Sequence, residues 1–248
     1  MPSPESVTRR NLPHWYVPGA AHFVTYRLAG TIPASVMRQW RSERESHIQG
    51  DHSADVNRVD FKARAHKRFF AQYDRYLDSH SDIAWLANRE VAAVIRENLY
   101  RHHGTKYHLL AYCVMPNHVH VLLQPIDEHR SGKQPFLSPH GQNCASNVVS
   151  DELPDRLSPL ARIMHSLKSY TANRCNQELG RLGQFWQHES YDHWVRDDEE
   201  LGRILEYIRF NPVSANLVSL PQEWIFSSAY DRFLLDGVES ALLVNHRN

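Results

Sequence analysis

The chain has 248 residues, of which 42% are hydrophobic, and its 28 basic and 28 acidic side chains leave a formal net charge of zero. Such a chain can bury the core of one large domain or two small ones, and its balanced charge argues against a protein that coats nucleic acid non-specifically, because that binding depends on neutralised phosphates. Three scattered cysteines, no apolar leader and no run of about 18 apolar residues predict a cytoplasmic protein without disulfides or membrane spans.

The first part of the chain predicts one strand followed by helices. HFVTYRL at 22–28 is rich in β-branched and aromatic residues and ends just before Gly30, which is typical of a strand. Residues 34–47 have helical character. The charged segment 48–80 is interpreted as a loop insertion, although its stretch FKARAHKRFFAQYDRYLDS is compatible with a helix. Asn88 is a candidate cap for a helix through VAAVIRENLYRHH.

Two apolar runs flank a Met-Pro-Asn turn in YHLLAYCVMPNHVHVLLQP, residues 107–125. Because Pro116 and Asn117 favour turns, this pattern predicts a β-hairpin in which His118 and His120 open the second strand. The two-residue period of a strand places both imidazoles on one side. The opposite side carries Val119, Val121 and Leu123. Alone, the pair has little weight, because 17 histidines in 248 residues predict about one His-x-His by chance.

The middle of the chain predicts a long loop, a helix and an extended segment. Residues 127–157 are rich in Ser, Pro, Asp and Asn without periodicity, which favours a surface loop. A helix is predicted from Pro159 to about Leu179. FWQHESYDHWVR at 185–196 is predicted to be extended.

The last predicted helix spans 198–210. Asp197 and Glu200 have the spacing of a capping box at its start. We expect it to end near Asn211, because Pro212 disfavours helical geometry in the residue before it.

The order of these elements predicts an α+β fold with a largely antiparallel sheet, helices on one face, and the other face free for a ligand. We expect a single domain over residues 1–248. It would carry insertions at 48–80 and 127–157 and a short C-terminal extension at 231–248.

The segment YIRFNPV, residues 207–213, offers a second functional motif. On a helical wheel Tyr207 lies at the edge of the apolar stripe, with Asn211 one turn later on the same side. Simple half-packing of Tyr207 and capping by Asn211 would also explain these residues. Together with two histidine ligands, however, Asn211 could complete a metal site, beside which Tyr207 could act as a nucleophile. Its reference pKa near ~10 means that it would need help from a metal or a base.

Four stretches in this order, MPNHVHVLL, LKSYTANRCN, FWQHESYDHWVRDDEEL and YIRFNPVSANLV, resemble the REP-associated tyrosine transposases. These are single-tyrosine HUH transposases of bacterial insertion sequences, HUH meaning His, hydrophobic, His. The resemblance extends from about Asn11 to about Tyr230. It implies a ferredoxin-like HUH sandwich.

The resemblance also implies roles for individual residues. His118 and His120 match the pair that holds Mg²⁺ or Mn²⁺, Tyr207 matches the nucleophile, and Asn211 matches a polar residue suited to complete the metal site. A D-H-x-x-R segment is assigned to DNA contact or active-site support. Its residues are Asp192, His193 and Arg196.

Family members bind single-stranded DNA folded into imperfect hairpins, cleave beside the hairpin, and leave a 5′-phosphotyrosine and a free 3′-OH. The resemblance therefore implies a metal-dependent DNA endonuclease and strand-transferase that works as a monomer or homodimer and associates with the nucleoid when bound. No P-loop is present, so no nucleotide cofactor is expected. Basic residues on the helix at 159–179 are candidate DNA contacts, although a solvated face explains them equally well. These are Arg162, Lys168 and Arg174, with Arg181 just beyond them, and a second cluster at Lys62, Arg64, Lys67 and Arg68.

Two other functions stay open. One is a hairpin-binding protein without strand transfer. The other is a zinc-dependent hydrolase, which lacks an obvious third ligand near His118. Tyr170 is a rival nucleophile, interpreted as a packing residue. Asn216 stands where many relatives have Gly, and little change is expected because Asn tolerates a left-handed backbone.

Overall fold

The computed structural model describes residues 6–9, 13–49, 58–79, 82–126 and 157–230. Within these ranges the strands are β1 (Ser6–Arg9), β2 (Pro13–Tyr16), β3 (His22–Arg27), β4 (Tyr107–Val114), β5 (His118–Pro125) and β6 (Tyr191–Trp194). The helices are α1 (Ala34–Gln49), α2 (Arg58–Ser79), α3 (Arg89–Arg101), α4 (Pro159–Glu178) and α5 (Asp198–Ser214).

Four strands form one antiparallel sheet in the order β4-β5-β3-β6. Along the chain, β3, α3, β4, β5, α4 and β6 follow the β-α-β-β-α-β order of a ferredoxin-like fold. The predicted α+β class with a mainly antiparallel sheet is confirmed. A separate hairpin of β1 and β2 was not predicted.

The β4–β5 hairpin turns at residues 115–117, as predicted. Its side chains alternate between two apolar clusters, one on each face of the sheet. Val119, Val121 and Leu123 pack in the cluster that includes α3 and α4. Leu122 packs in the other cluster, on the side of His118 and His120.

Helices cover both faces of the sheet, so the prediction of helices on one face only is wrong. The second face is covered by α2 and α5, which place Phe69, Tyr73, Leu77 and Ile208 in its apolar cluster. Residues 58–79 thus form a helix and not a loop. Their buried apolar residues recur every four positions, and a helix with such a stripe must cover it against another element.

Two predicted helix caps are confirmed. The Asn88 side chain accepts from the N–H groups of Glu90 and Val91, and the Asp197 side chain accepts from Glu200 N. The predicted end near Asn211 is wrong, because α5 continues through Pro212 to Ser214.

A proline this close to a helix end removes only one late backbone hydrogen bond, and burial of Asn211 and Pro212 holds the turn. The chain then leaves the helix at Asn216, whose φ of 56° is the left-handed value that its side chain tolerates.

Two segments that the sequence analysis singled out fall largely outside the described residues. The predicted loop at 127–157 is described only at its last residue, and the C-terminal extension at 231–248 not at all, so the domain division stays a prediction. In the part of the chain that is described, no helix has the length and apolar character needed to cross a membrane.

Candidate active site

Two buried histidines form the centre of the site. His118 and His120 are both 0% exposed, and their Nε2 atoms lie 3.0 Å apart. They face the same side because they are two residues apart on β5. Across the sheet, β3 places Arg27 opposite His118 and Thr25 opposite His120.

The second ring nitrogen of each histidine has a partner that orients the ring. Asn117 Nδ2 donates to the Leu77 carbonyl at 2.7 Å, which leaves its Oδ1 to accept from His118 Nδ1 at 2.6 Å. Thr25 Oγ1 lies 2.8 Å from His120 Nδ1. A proton on Nδ1 leaves the lone pair on Nε2, and the partner at Nδ1 holds the ring so that Nε2 faces the site, as in histidines that bind metal ions.

Charge also favours the metal-binding form of His118. Burial lowers its pKa to about 3, an effect that His120 strengthens and the negative charge of Asp74 opposes. The ring is therefore neutral at pH 7, and a neutral imidazole is the form that coordinates a metal.

Asp74 of α2 brings a carboxylate to the two imidazoles. Its Oδ1 is buried without a hydrogen-bond partner and lies 3.2 Å from His120 Nε2 and 4.0 Å from His118 Nε2. Burial alone would raise the Asp74 pKa, but the two histidines and the Tyr207 hydroxyl outweigh it and hold this pKa at about 2. The group is thus an anion at pH 7.

The three donor atoms fit a small divalent cation. All lie within 4.8 Å of one another. Two ligands at right angles around an ion, each about 2.1 Å from it, are about 3.0 Å apart, which is the separation of the two Nε2 atoms. Two imidazole nitrogens and a carboxylate whose Oδ1 is buried without a hydrogen-bond partner indicate a metal site of Asp74, His118 and His120.

Helix α5 places Tyr207 against this cluster. Its hydroxyl donates a hydrogen bond to Asp74 Oδ2 and lies 3.4 Å from His120 Nε2. Asn211, one turn later, donates from Nδ2 to the same hydroxyl at 3.3 Å. Burial, strengthened by the negative charge of Asp74, raises the Tyr207 pKa well above its ordinary value, so the hydroxyl carries its proton.

The structure therefore brings together His118, His120, Tyr207 and Asn211, and it adds Asp74, which the sequence analysis missed. The Asn211 Oδ1 is buried and has no hydrogen-bond partner. Its role as a metal ligand stays a prediction. The sequence offers one signal for Asp74: it directly follows Tyr73, a residue of the apolar stripe of α2.

The D-H-x-x-R segment joins β6 to the start of α5. His193 Nε2 lies 3.0 Å from Glu200 Oε1, and Arg196 N donates to Glu200 Oε2 at 2.9 Å. Asp192 is half-buried on β6. His193 and Arg196 thus position the helix that carries Tyr207, which favours active-site support over DNA contact.

The basic residues of α4 belong to the other face of the sheet, where α4 packs. Lys168 Nζ donates to the carbonyls of Gln187 and His188 at 2.6 and 2.7 Å, so its charge is used inside the fold. Arg162 and Arg174 are exposed. In the second cluster the side chain of Arg68 is exposed, and those of the other three residues lie outside the described part.

Tyr170 is not a packing residue. It is 41% exposed on α4, with the Arg101 guanidinium 5.6 Å from its ring centroid. Because α4 covers the face opposite the histidines, Tyr170 is not placed to attack a group bound there.

No protein-family model matches the chain. A curated protein of Haemophilus influenzae named "Putative REP-associated tyrosine transposase" is 25% identical over 124 residues, which are 49% of this chain and 58% of that protein. The chain thus spans less than two thirds of that relative's length. A solved structure of a REP-associated tyrosine transposase bound to a REP hairpin is 15% identical, with 90% of this chain and 82% of that chain covered and a TM-score of 0.42. By sequence, the chain is therefore similar to a REP-associated tyrosine transposase, as its four motifs predicted.

Proposed function

We propose that the protein is a metal-dependent, single-stranded DNA endonuclease and strand-transferase that acts at DNA hairpins through a phosphotyrosine on Tyr207. One observation carries the proposal: the Tyr207 hydroxyl is hydrogen-bonded into the cluster of Asp74, His118 and His120. Similarity to the curated transposase supports the same reaction class.

In this reaction the Tyr207 oxygen attacks a DNA phosphorus and the bond from phosphorus to the 3′-oxygen breaks. The products are a 5′-phosphotyrosine and a 3′-OH, and the phenol proton lost by Tyr207 is balanced by the proton that the leaving oxygen gains. Asp74 Oδ2 and Asn211 Nδ2 both contact the hydroxyl and hold its direction. The bond energy stays in the phosphotyrosine, so attack by another 3′-OH can rejoin strands without ATP.

We propose that Asp74, His118 and His120 hold Mg²⁺ or Mn²⁺, with Asn211 as a further oxygen donor. The bound ion would supply a Lewis acid that polarises a phosphoryl oxygen and favours the ionised tyrosine. The carboxylate suits these hard ions better than a purely nitrogen site would.

The test is a covalent adduct between protein and DNA on a denaturing gel. The substrate is a labelled hairpin with single-stranded flanks, taken from the DNA beside the gene and supplied with Mn²⁺ or with EDTA. We expect an adduct that needs the metal, survives in Tyr170→Phe and is lost in Tyr207→Phe. Tyr170 is the matched control, because it is a tyrosine on the opposite face.

Loss of the adduct only in Tyr170→Phe would overturn the assignment of Tyr207 as the nucleophile. Tight, metal-independent binding of the hairpin without any adduct would favour the runner-up function, a hairpin-binding protein without strand transfer.

A zinc-dependent hydrolase is a second candidate, which Asp74 favours. Two histidines and one carboxylate with open positions are the ligand set of many catalytic zinc sites, and Asp74 supplies the third ligand that the sequence lacks near His118. Such an enzyme would retain Zn²⁺ through purification and hydrolyse its substrate in Tyr207→Phe. Metal analysis of the purified protein and hydrolysis by this variant distinguish the two functions.

We propose single-stranded DNA hairpins as the partner, bound by a monomer or a homodimer. Arg162 and Arg174 are exposed and available for DNA at the far face of the sheet. For Lys168, His193 and Arg196, the contacts described above support a structural role. Lys168 holds the segment at 187–188, and the other two hold the start of α5.

A further inference from the structure

A cavity lies beside Asp74, His118 and His120, on the same face of the sheet. It has a volume of about 310 Å³ and lies between the end of β3, helices α1 and α2, and the segment 187–189. Its polar lining consists of Arg27, Arg38, Arg41, Tyr73, Gln187 and Glu189. A volume of this size is at the lower end of the range for small-molecule sites, which suits a single nucleotide.

The cavity is positively charged although the chain as a whole is neutral. Three of its lining residues are arginines and one is a glutamate. Glu189 pairs with Arg41, with 3.1 Å between Oε2 and Nη2. The lining therefore has an excess of two positive charges, which attracts an anion.

Arg27 is the unusual residue of this lining. It is only 3% exposed, its Nη1 donates to Thr31 Oγ1 at 3.0 Å, and its Nε has no hydrogen-bond partner. Within the described residues no carboxylate forms an ion pair with it. An arginine stays charged when buried, and an unpaired buried charge is costly. A phosphate in the cavity would supply the missing anion, because a guanidinium binds phosphate through paired N–H groups.

The position of the cavity relates it to the cleavage site. Arg27 on β3 is directly opposite His118 on β5, and such pairs have Cβ atoms about 4.5–5.5 Å apart. Tyr73, in the cavity wall, immediately precedes Asp74. A DNA strand with one phosphodiester at Asp74, His118 and His120 can therefore place a neighbouring phosphate at Arg27.

We infer that this cavity, named here the arginine pocket, binds the phosphate of one nucleotide next to the bond that Tyr207 attacks. Arg27 and Arg41 contact the phosphate, and Arg38 contacts it from the rim. The inference rests on the proposed function in one respect, namely that the bound phosphate belongs to a single strand of DNA. The arginine pocket would fix which phosphodiester of a single strand reaches Tyr207.

The test measures binding of the flanked hairpin in EDTA, where no metal-dependent cleavage occurs. Arg38→Gln and Arg41→Gln are compared with Arg89→Gln, an exposed arginine on α3, on the other face of the sheet. Arg27→Gln is added with a thermal melt, because a buried residue can affect folding. Each pocket variant is expected to weaken binding about tenfold, as for one lost charge-assisted contact. It should also reduce the slope of log affinity against log salt by about 0.7, the value for one phosphate on a single strand. Arg89→Gln should change neither.

A methylphosphonate scan identifies the phosphate. One phosphate at a time is replaced by the neutral group, and a single position next to the cleavage site should weaken binding to the wild-type protein. The same replacement should have no further effect in the Arg38→Gln Arg41→Gln variant. A pocket that binds inorganic phosphate, with a DNA affinity that depends on neither arginine, would overturn the inference.

Failure of this inference is distinguishable from failure of the proposed function. An adduct on Tyr207 with normal DNA binding by the arginine variants would refute the pocket alone. Arginine-dependent binding of one phosphate without any adduct would refute the strand-transferase and leave the pocket as a nucleotide site.

Discussion

Asn117→Ala is expected to weaken metal binding although Asn117 is not a ligand. Its Oδ1 accepts from His118 Nδ1, and its Nδ2 donates to the Leu77 carbonyl on α2, the helix that carries Asp74. One amide thus fixes the tautomer of one ligand and the position of the helix that supplies another. Loss of such an orienting partner typically lowers metal affinity about 10–100-fold, which is roughly 1.4–2.7 kcal/mol.

The same substitution leaves two buried polar groups without partners, the His118 Nδ1–H and the Leu77 carbonyl. Each costs about 1–3 kcal/mol of folding free energy when left unsatisfied. Isothermal titration with Mn²⁺ measures the affinity, and urea unfolding in EDTA measures the stability without metal.

Asn117→Asp separates the two roles. An aspartate can still accept from His118 but cannot donate to Leu77, so stability should fall while metal affinity is kept or increased. Equal loss of metal affinity in both variants would refute the reasoning about His118. The reasoning would also be refuted if a folded Asn117→Ala protein bound Mn²⁺ with an affinity within about threefold of the wild-type value, which is a free-energy difference on the order of RT.

Three further substitutions test other parts of the structure. Asp74→Asn removes the one anionic ligand, so Mn²⁺ titration should show a loss beyond the roughly 100-fold upper value for Asn117→Ala. The Glu200 pKa is held at about 2, because the hydrogen bonds from His193 and Arg196 N outweigh the effect of burial. A depressed folded-state pKa stabilises above the unfolded value, so this contribution is present at pH 7 and is lost as the pH falls from about 4.5 to about 2. Urea unfolding should show a cost of about 1 kcal/mol for Glu200→Gln at pH 7 and little cost near pH 2. Lys168→Met should lower the free energy of unfolding by about 1–3 kcal/mol in urea, because its ammonium is bonded within the fold.

Local patterns in the sequence predict the parts of the site that depend on neighbouring residues. The strand period places His118 and His120 on one face, and the spacing of one helical turn brings Asn211 to the Tyr207 hydroxyl. Asn88 and Asp197 cap their helices because short polar side chains satisfy free N–H groups there.

Contacts between distant segments were beyond such patterns. Tyr207 and His120 are 87 positions apart, and no local periodicity brings them together. Their proximity is expected from the hypothesis that the two motifs share one metal site and from the resemblance to a family. Asp74 was missed because its segment was interpreted as a loop insertion, so its place beside the buried stripe of α2 carried no weight. The continuation of α5 past Pro212 depends on burial, which the sequence does not show directly.

The position of the covalent bond tests the central claim most directly. The protein is allowed to react with the flanked hairpin and Mn²⁺, the DNA is trimmed by a nuclease, and the protein is digested for mass spectrometry. We predict a nucleotide linked through phosphate to Tyr207, absent when EDTA is present. A nucleotide on any other residue, or none on a protein that binds and cleaves the hairpin, would contradict the assignment of Tyr207 as the nucleophile.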